Sequence, residues 1–234
     1  MTDVGAGVGA GGAEPARVDF RCDDPEVDPY RLLTATVVPR PIAWVGTVGA
    51  DGAGNLAPHS FYSVACAKPP IVSFTSVGHK DTLRNVRATG EFVVNLATAD
   101  LVRAVNDTSA PFDPEVDEAG ATGLTLVPST TVSVPRVARS PVALECTLHS
   151  LHELGDSVLV LGDVRLVSVH ASALVDGHPS MAALRPLSRL GSDEWGWPPE
   201  VFHLSRPRSA EDTGTHAPRP TAPASARPDE EDGS

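Results

Sequence analysis

The chain has 234 residues, with 41% hydrophobic and 21% charged, a composition that fits one globular domain. Thirty acids against eighteen Lys and Arg leave a net charge of −12; this gives no basic field to hold a nucleic acid and repels an anionic membrane surface. No apolar run approaches the ~18 residues of a membrane helix, Met1-Thr2-Asp3 is no secretory start, and Cys22, Cys66 and Cys146 form no CxxC pair, so a cytoplasmic protein without a disulfide or zinc scaffold is expected.

Residues 1–17 are mostly Gly and Ala and read as a disordered tail. Within them, Gly7-Val8-Gly9-Ala10-Gly11-Gly12 matches GxGxxG, but no strand precedes it and no helical pattern follows, so it reads as low complexity. Residues 18–207 read as the domain. Residues 208–234 hold four prolines after Arg208 and the acidic run Asp229–Asp232, and read as a second disordered tail. With three Arg against six acids, that tail holds only part of the charge, so the domain itself is acidic.

The middle of the chain reads mainly as strands. The first run is Val37 to Val48, closed by the turn Gly49-Ala50-Asp51-Gly52. Phe61 to Cys66, Ile71 to Ser76 and Phe92 to Leu96 follow, then Val142 to Leu148, Val158 to Val169 and Val201 to Leu204. The run from Val158 is apolar on both faces, as in a closed barrel, and Gly162 at its centre predicts a bulge or bend. Two helices are expected. Asp81 to Thr89 has Asp81 as N-cap and Gly90 as its stop, and Ala99 to Asn106 is the second. Many strands with a few short helices point to a barrel rather than a parallel α/β sheet.

Two segments carry candidate chemistry. Gly78-His79-Lys80-Asp81-Thr82 joins a strand to a helix. Free N–H groups and the positive dipole end favour an anion there, and Lys80, one of only two lysines, adds a full charge. Thr82 adds a hydroxyl. Asp81 would repel an anion, so its place is in capping or in orienting Lys80 or Arg84. The bland alternative is an ordinary helix start with an exposed lysine. Asn55-Leu56-Ala57-Pro58-His59-Ser60-Phe61 follows the turn; on its own chemistry it reads as a β-connection, though such a loop can present N–H groups and a hydroxyl to a planar ligand. His149 and His152 lack an evident third metal ligand, Asp193-Glu194 reads as a solvated turn, and Cys66 as a buried small hydrophobe.

Taken in order, several blocks resemble the flavin reductase-like family. They are Tyr30-Arg31-Leu32-Leu33, Pro39-Arg40-Pro41-Ile42-Ala43-Trp44-Val45, Asn55 to Phe61, Pro69-Pro70-Ile71-Val72, Lys80-Asp81-Thr82-Leu83-Arg84-Asn85 and Gly90-Glu91-Phe92-Val93-Val94-Asn95-Leu96. Ser188-Arg189-Leu190-Gly191 and Val201 to Pro207 resemble its closing segment. The resemblance implies an FMN-binding split β-barrel, a homodimer, and FMN-dependent transfer of hydride from NAD(P)H, with electrons passed to an acceptor such as a partner monooxygenase. It implies that Asn55, Ala57, Pro58, His59, Ser60 and Phe61 line the flavin ring and ribityl chain. Ser76, Lys80 and Thr82, with Asp81 beside them, would hold the phosphate, and Arg189 would reach the flavin or its phosphate. His59 and Trp195 depart from the family pattern and would border the substrate. The other readings are a flavin-binding electron carrier and a flavin-free barrel serving as an interaction module.

Overall fold

The computed structural model describes residues 15–112, 116–214 and 216–220. In chain order come α1 (Pro29–Thr36), β1 (Arg40–Pro41), β2 (Ala43–Val48), β3 (Gly54–His59), β4 (Tyr62–Cys66), β5 (Ile71–Val77), α2 (Asp81–Thr89) and β6 (Glu91–Leu96). A 3₁₀ turn (Ala99–Leu101) leads into α3 (Val102–Asp107), then α4 (Glu118–Ala121), β7 (Leu126–Val127) and β8 (Arg136–Val137). The hairpin of β9 (Val142–Leu154) and β10 (Ser157–Val169) follows. Short pieces close the chain: β11 (Leu174–Val175), β12 (His178–Pro179), α5 (Met181–Leu184), β13 (Ser188–Arg189), β14 (Trp195–Gly196), β15 (Phe202–His203) and β16 (Arg219–Pro220).

Seven strands form one antiparallel sheet in the order β3-β2-β6-β9-β10-β5-β4. The fold is therefore mainly β with a few short helices, as expected, but the sheet does not close. Its edges, β3 and β4, share no ladder. They are nevertheless consecutive in the chain, separated by Ser60 and Phe61. Laid flat, seven strands would hold the edges about 29 Å apart at ~4.8 Å per strand. A three-residue step reaches only about 10 Å, so the sheet must curl until its edges meet at that corner.

The curl produces two apolar cores that share β2. Ala43 and Val45 pack inside with Phe74, Phe92, Val158 and Val160, and α2 stops that core with Leu83 and Val86. Ile42 and Trp44 point the other way, against Leu56, Leu101, Val105 and Leu187. The strands sandwiched on both faces are thus β2, with Trp44 and Val45 fully buried, and its neighbour β6, with Phe92 and Val93 fully buried. In β10 only the Val158 and Val160 face is buried, while Leu159 and Leu161 are half-buried.

Gly162 stands where the sheet bends. The β9–β10 register shifts between Leu161 and Gly162, and a Cβ at Gly162 would lie 2.2 Å from Phe92 Cζ. The glycine is there so that the core ring can touch backbone. Gly162→Ala is expected to destabilise the protein by about 1–3 kcal/mol through overpacking, read as a lower urea midpoint at unchanged m-value.

Local signals placed β4, β5, β6, β10, β15 and α2 within a residue or two, whereas the run expected from Val37 to Val48 divides into β1 and β2, and α4 and α5 were not expected. The β9 run extends past Leu148 to Leu154, because its outer half pairs with β10 rather than entering the core. The second helix begins as the 3₁₀ turn. Asn55 to His59 lies in β3 and not in a connecting loop. Asn, Pro and His are poor strand formers, but β3 is an edge, where Pro58 loses no ladder bond it needs. Pro58 lies opposite Trp44. The α1 helix was not anticipated; Asp28 caps it through Arg31 N–H, and Pro29 starts it. Residues 1–14 and 221–234, including the GxGxxG run and most of both expected tails, lie outside the described residues. Of the second tail, Arg219–Pro220 pairs with β15.

Candidate functional site

At the β5–α2 junction, Gly78 takes φ +76, the left-handed backbone that aims the chain into the helix. The N-cap is Lys80, not Asp81 as the sequence predicted, and no side chain caps the first turn. Asp81 is the first helical residue, and its carboxylate is held by Arg84. The leading N–H groups of α2 thus have no side-chain acceptor, and a lysine stands among them. Free N–H groups and positive charge at a helix start favour an anion. Ser76 and Thr82 are buried, and their hydroxyl protons are engaged internally. Ser76 Oγ donates to Gly78 O (2.9 Å), and Thr82 Oγ1 donates to Asn55 Oδ1 (2.8 Å).

Thr82 sits in a buried polar chain that sequence reasoning missed in part. Asn55 Nδ2 and Leu56 N donate to Glu118, Thr82 bonds Asn55, and His59 Nε2 lies 3.3 Å from Thr82 Oγ1. Glu118 enters from α4, 63 residues beyond Asn55, and nothing local marked it. Burial pushes its carboxyl above the usual carboxylate range, against the bonds it accepts. His59 is buried against Phe74, ring centroids 4.8 Å apart. Burial and the nearby Lys80 charge push its pKa down to about 4, so the imidazole is neutral at pH 7.

Beside this chain lie two hollows that share wall residues. A groove of about 110 Å³ is lined by Tyr30, Pro58, His59, Ser60, Phe61 and Thr75. A cleft of about 680 Å³ shares Tyr30, Pro58 and Ser60 with it and adds Arg31, Arg40, Arg189, Asp193 and Trp195. That volume is in the range of small-molecule and cofactor sites. Lys80 and His79 line a third hollow along α2.

The predicted residues therefore divide. Pro58 to Phe61 wall the hollows, Lys80 stands at the helix end, Asn55 and Thr82 belong to the buried chain, and Arg189 faces the large cleft. Arg40 was not singled out, although a charge inside Val38-Pro39-Arg40-Pro41-Ile42 is the kind of anomaly that marks a site. It is 6% exposed. It donates to the carbonyls of Thr34, Val37 and Leu190, and its Nε lies 3.4 Å from Ser60 Oγ. His149 bonds Asp163, His152 bonds Ser150, and Cys66 is half-buried rather than buried. No group of three His, Cys, Asp or Glu able to hold a metal forms among the described residues, and none of their helices is long and apolar enough to cross a membrane.

The sequence matches the family described as "Flavin reductase like domain" over residues 35–184. A protein of Halalkalibacterium halodurans is 42% identical over 190 residues, covering 76% of this chain and 90% of that one. The crystal structure of nitrilotriacetate monooxygenase component B from Bacillus cereus is similar, with TM-score 0.76 and 32% identity, covering 82% of this chain and 100% of that one. Flavoredoxin of Desulfovibrio vulgaris (Miyazaki F) has TM-score 0.67 and 25% identity, covering 75% and 94% of the two chains.

Proposed function

The chain belongs to the flavin reductase-like family, and from that premise we propose that it is an FMN-dependent oxidoreductase on a split-barrel fold, taking hydride from NAD(P)H and passing electrons to an acceptor. The observation that carries this reading is the wall Pro58–Phe61, which separates the large cleft from the groove ending at His59. The Lys80 charge at the α2 end is close enough to act on His59.

In this reading the phosphate lies on Lys80 Nζ and the first N–H groups of α2. Ser76 and Thr82 shape that turn, and Asp81, tied to Arg84, is kept from opposing the anion. Pro58, Ser60 and Phe61 border the ring and ribityl chain, with Asn55 and Ala57 behind them in β3. Neutral His59 adds no charge beside the ring. Bound flavin supplies the hydride chemistry itself; the protein binds, orients and excludes water, and no side-chain acid or base is required.

Lys80→Ala is expected to weaken FMN binding by about 1.5–3 kcal/mol, the worth of a charge-assisted bond. Quenching of flavin fluorescence on titration measures it, and an unchanged affinity removes Lys80 from the phosphate site. Flavin absorption bands in the purified or FMN-soaked protein, with NAD(P)H oxidation, test the whole reading, and FAD in place of FMN tests the choice of flavin. A partner monooxygenase as acceptor is supported by the likeness to a monooxygenase component B. A homodimer is supported by Leu33 and Val37 of the α1 region, 56% and 60% exposed beside the cleft, and sedimentation tests it. The likeness to flavoredoxin favours a second reading, an electron carrier; bound flavin reduced by a protein donor but not by NAD(P)H would select it.

A further inference from the structure

The buried polar chain that ends at Glu118 runs from α4 to the groove wall, and the flavin reading gives Glu118 no task. Glu118, Thr82 and His59 are 6%, 1% and 7% exposed. Glu118 Oε2 accepts from Leu56 N (3.0 Å), a backbone group that can only donate. Glu118 Oε1 accepts from Asn55 Nδ2. A carboxylate offers acceptors alone, so the Asn55 amide must turn its nitrogen to Glu118 and its oxygen to Thr82. Asn55 Oδ1 then takes the Thr82 hydroxyl proton at 2.8 Å, with Thr47 Oγ1 at 3.5 Å from the same oxygen. With its proton committed, Thr82 Oγ1 has only lone pairs left for His59 Nε2, 3.3 Å away. Every bond therefore points one way, from His59 to Glu118. The direction is set at the far end, by a carboxylate that comes from 63 residues beyond Asn55.

We propose that Glu118 is a positioning residue for this groove: through Asn55 and Thr82 it fixes the proton of the His59 ring on Nε2 and leaves Nδ1 as an acceptor. The inference rests on the flavin reading, in which His59 walls the groove beside the ribityl chain; a ring nitrogen that accepts suits a hydroxyl that donates. The Thr75 backbone competes for a ring proton, and the chain from Glu118 decides the contest. Glu118→Gln reverses that chain. The new side-chain carbonyl must stay on Leu56 N, so its amide nitrogen meets Asn55, and Asn55 flips to present Nδ2 to Thr82. The Thr82 proton then goes to His59 Nε2, and the ring proton moves to Nδ1. Adding Asn55→Asp restores an acceptor towards Thr82 and with it the original direction.

The test is nitrogen NMR of the His59 imidazole in the full chain at neutral pH, before and after loading with FMN, with FMN affinity measured in parallel by flavin fluorescence. Wild type, Glu118→Gln and the double variant Glu118→Gln/Asn55→Asp are compared. Wild type carries the ring proton on Nε2, Glu118→Gln carries it on Nδ1, and the double variant carries it on Nε2 again. FMN affinity falls about threefold to tenfold in Glu118→Gln, the worth of one hydrogen bond, and returns to within about twofold of wild type in the double variant. A wild-type proton on Nδ1, a tautomer or an FMN affinity that Glu118→Gln leaves unchanged, or a double variant no better than the single one overturns the inference while the flavin reading stands. If Glu118→Gln does not fold, Asn55→Asp alone takes its place. Adding Glu118→Gln to it must then raise FMN affinity, because two facing carboxylates are relieved, and an equal or lower affinity overturns the inference. A wild type that takes up no FMN, seen in its visible spectrum, overturns both.

Discussion

Phe74→Ala is expected to destabilise the protein by about 3–5 kcal/mol, the largest effect of any single substitution discussed here. The ring is completely buried. It meets Phe92 edge-on, with centroids 5.4 Å apart, and packs on His59 at 4.8 Å. Truncation leaves a cavity in the inner core and also frees the imidazole that walls the small groove. A typical domain has only ~5–15 kcal/mol in total, so the variant stands near the threshold of folding. Phe74→Leu fills most of the space and is expected to lose less. Urea unfolding of both variants measures the difference, and equal losses would show that the aromatic packing contributes little.

Acidification from pH 6.5 to 4 is expected to remove about 3 kcal/mol of stability through His59 alone. Its pKa is pushed from 6.5 to about 4 in the folded protein, and each unit is worth about 1.4 kcal/mol. Below pH 6.5 the unfolded chain takes up a proton that the folded chain refuses, so stability falls with pH until the folded value is reached. Glu118 acts in the opposite direction. Its folded carboxyl is raised, so its contribution is present at low pH and lost as pH rises through its folded value. The clean measurement is therefore a difference. Urea unfolding of wild type and His59→Gln across this range should show the acid-sensitive component only in wild type. Parallel pH profiles would place the titration elsewhere.

The candidate site was legible where it depends on near neighbours. Glycine at 78, lysine at 80 and the run to Gly90 announce a strand, a turn and a helix, and the helix spans Asp81–Thr89 as expected. The cap was misread because Asp81 finds a stronger partner in Arg84, one turn along, than in its own backbone. The Asn55–Phe61 block could be matched to a family by its residues, yet its poor strand formers hid the edge strand β3.

Composition, turn chemistry and period-two runs were enough, from sequence alone, to determine a mainly β domain and the helix that starts after Lys80, and the ordered residue blocks carried the resemblance to the family. Such features depend on a few consecutive residues, whose backbone preferences and charges act at short range. Tertiary structure alone decided the rest: the curl that brings the two sheet edges to one corner, the reach of Glu118 to Asn55, and the bond from Arg40 to Leu190, 150 residues away. These contacts follow from strand order and register, which the burial of both faces of β2 and β6 helps to fix, and no local spacing encodes which distant carbonyl a buried guanidinium will find.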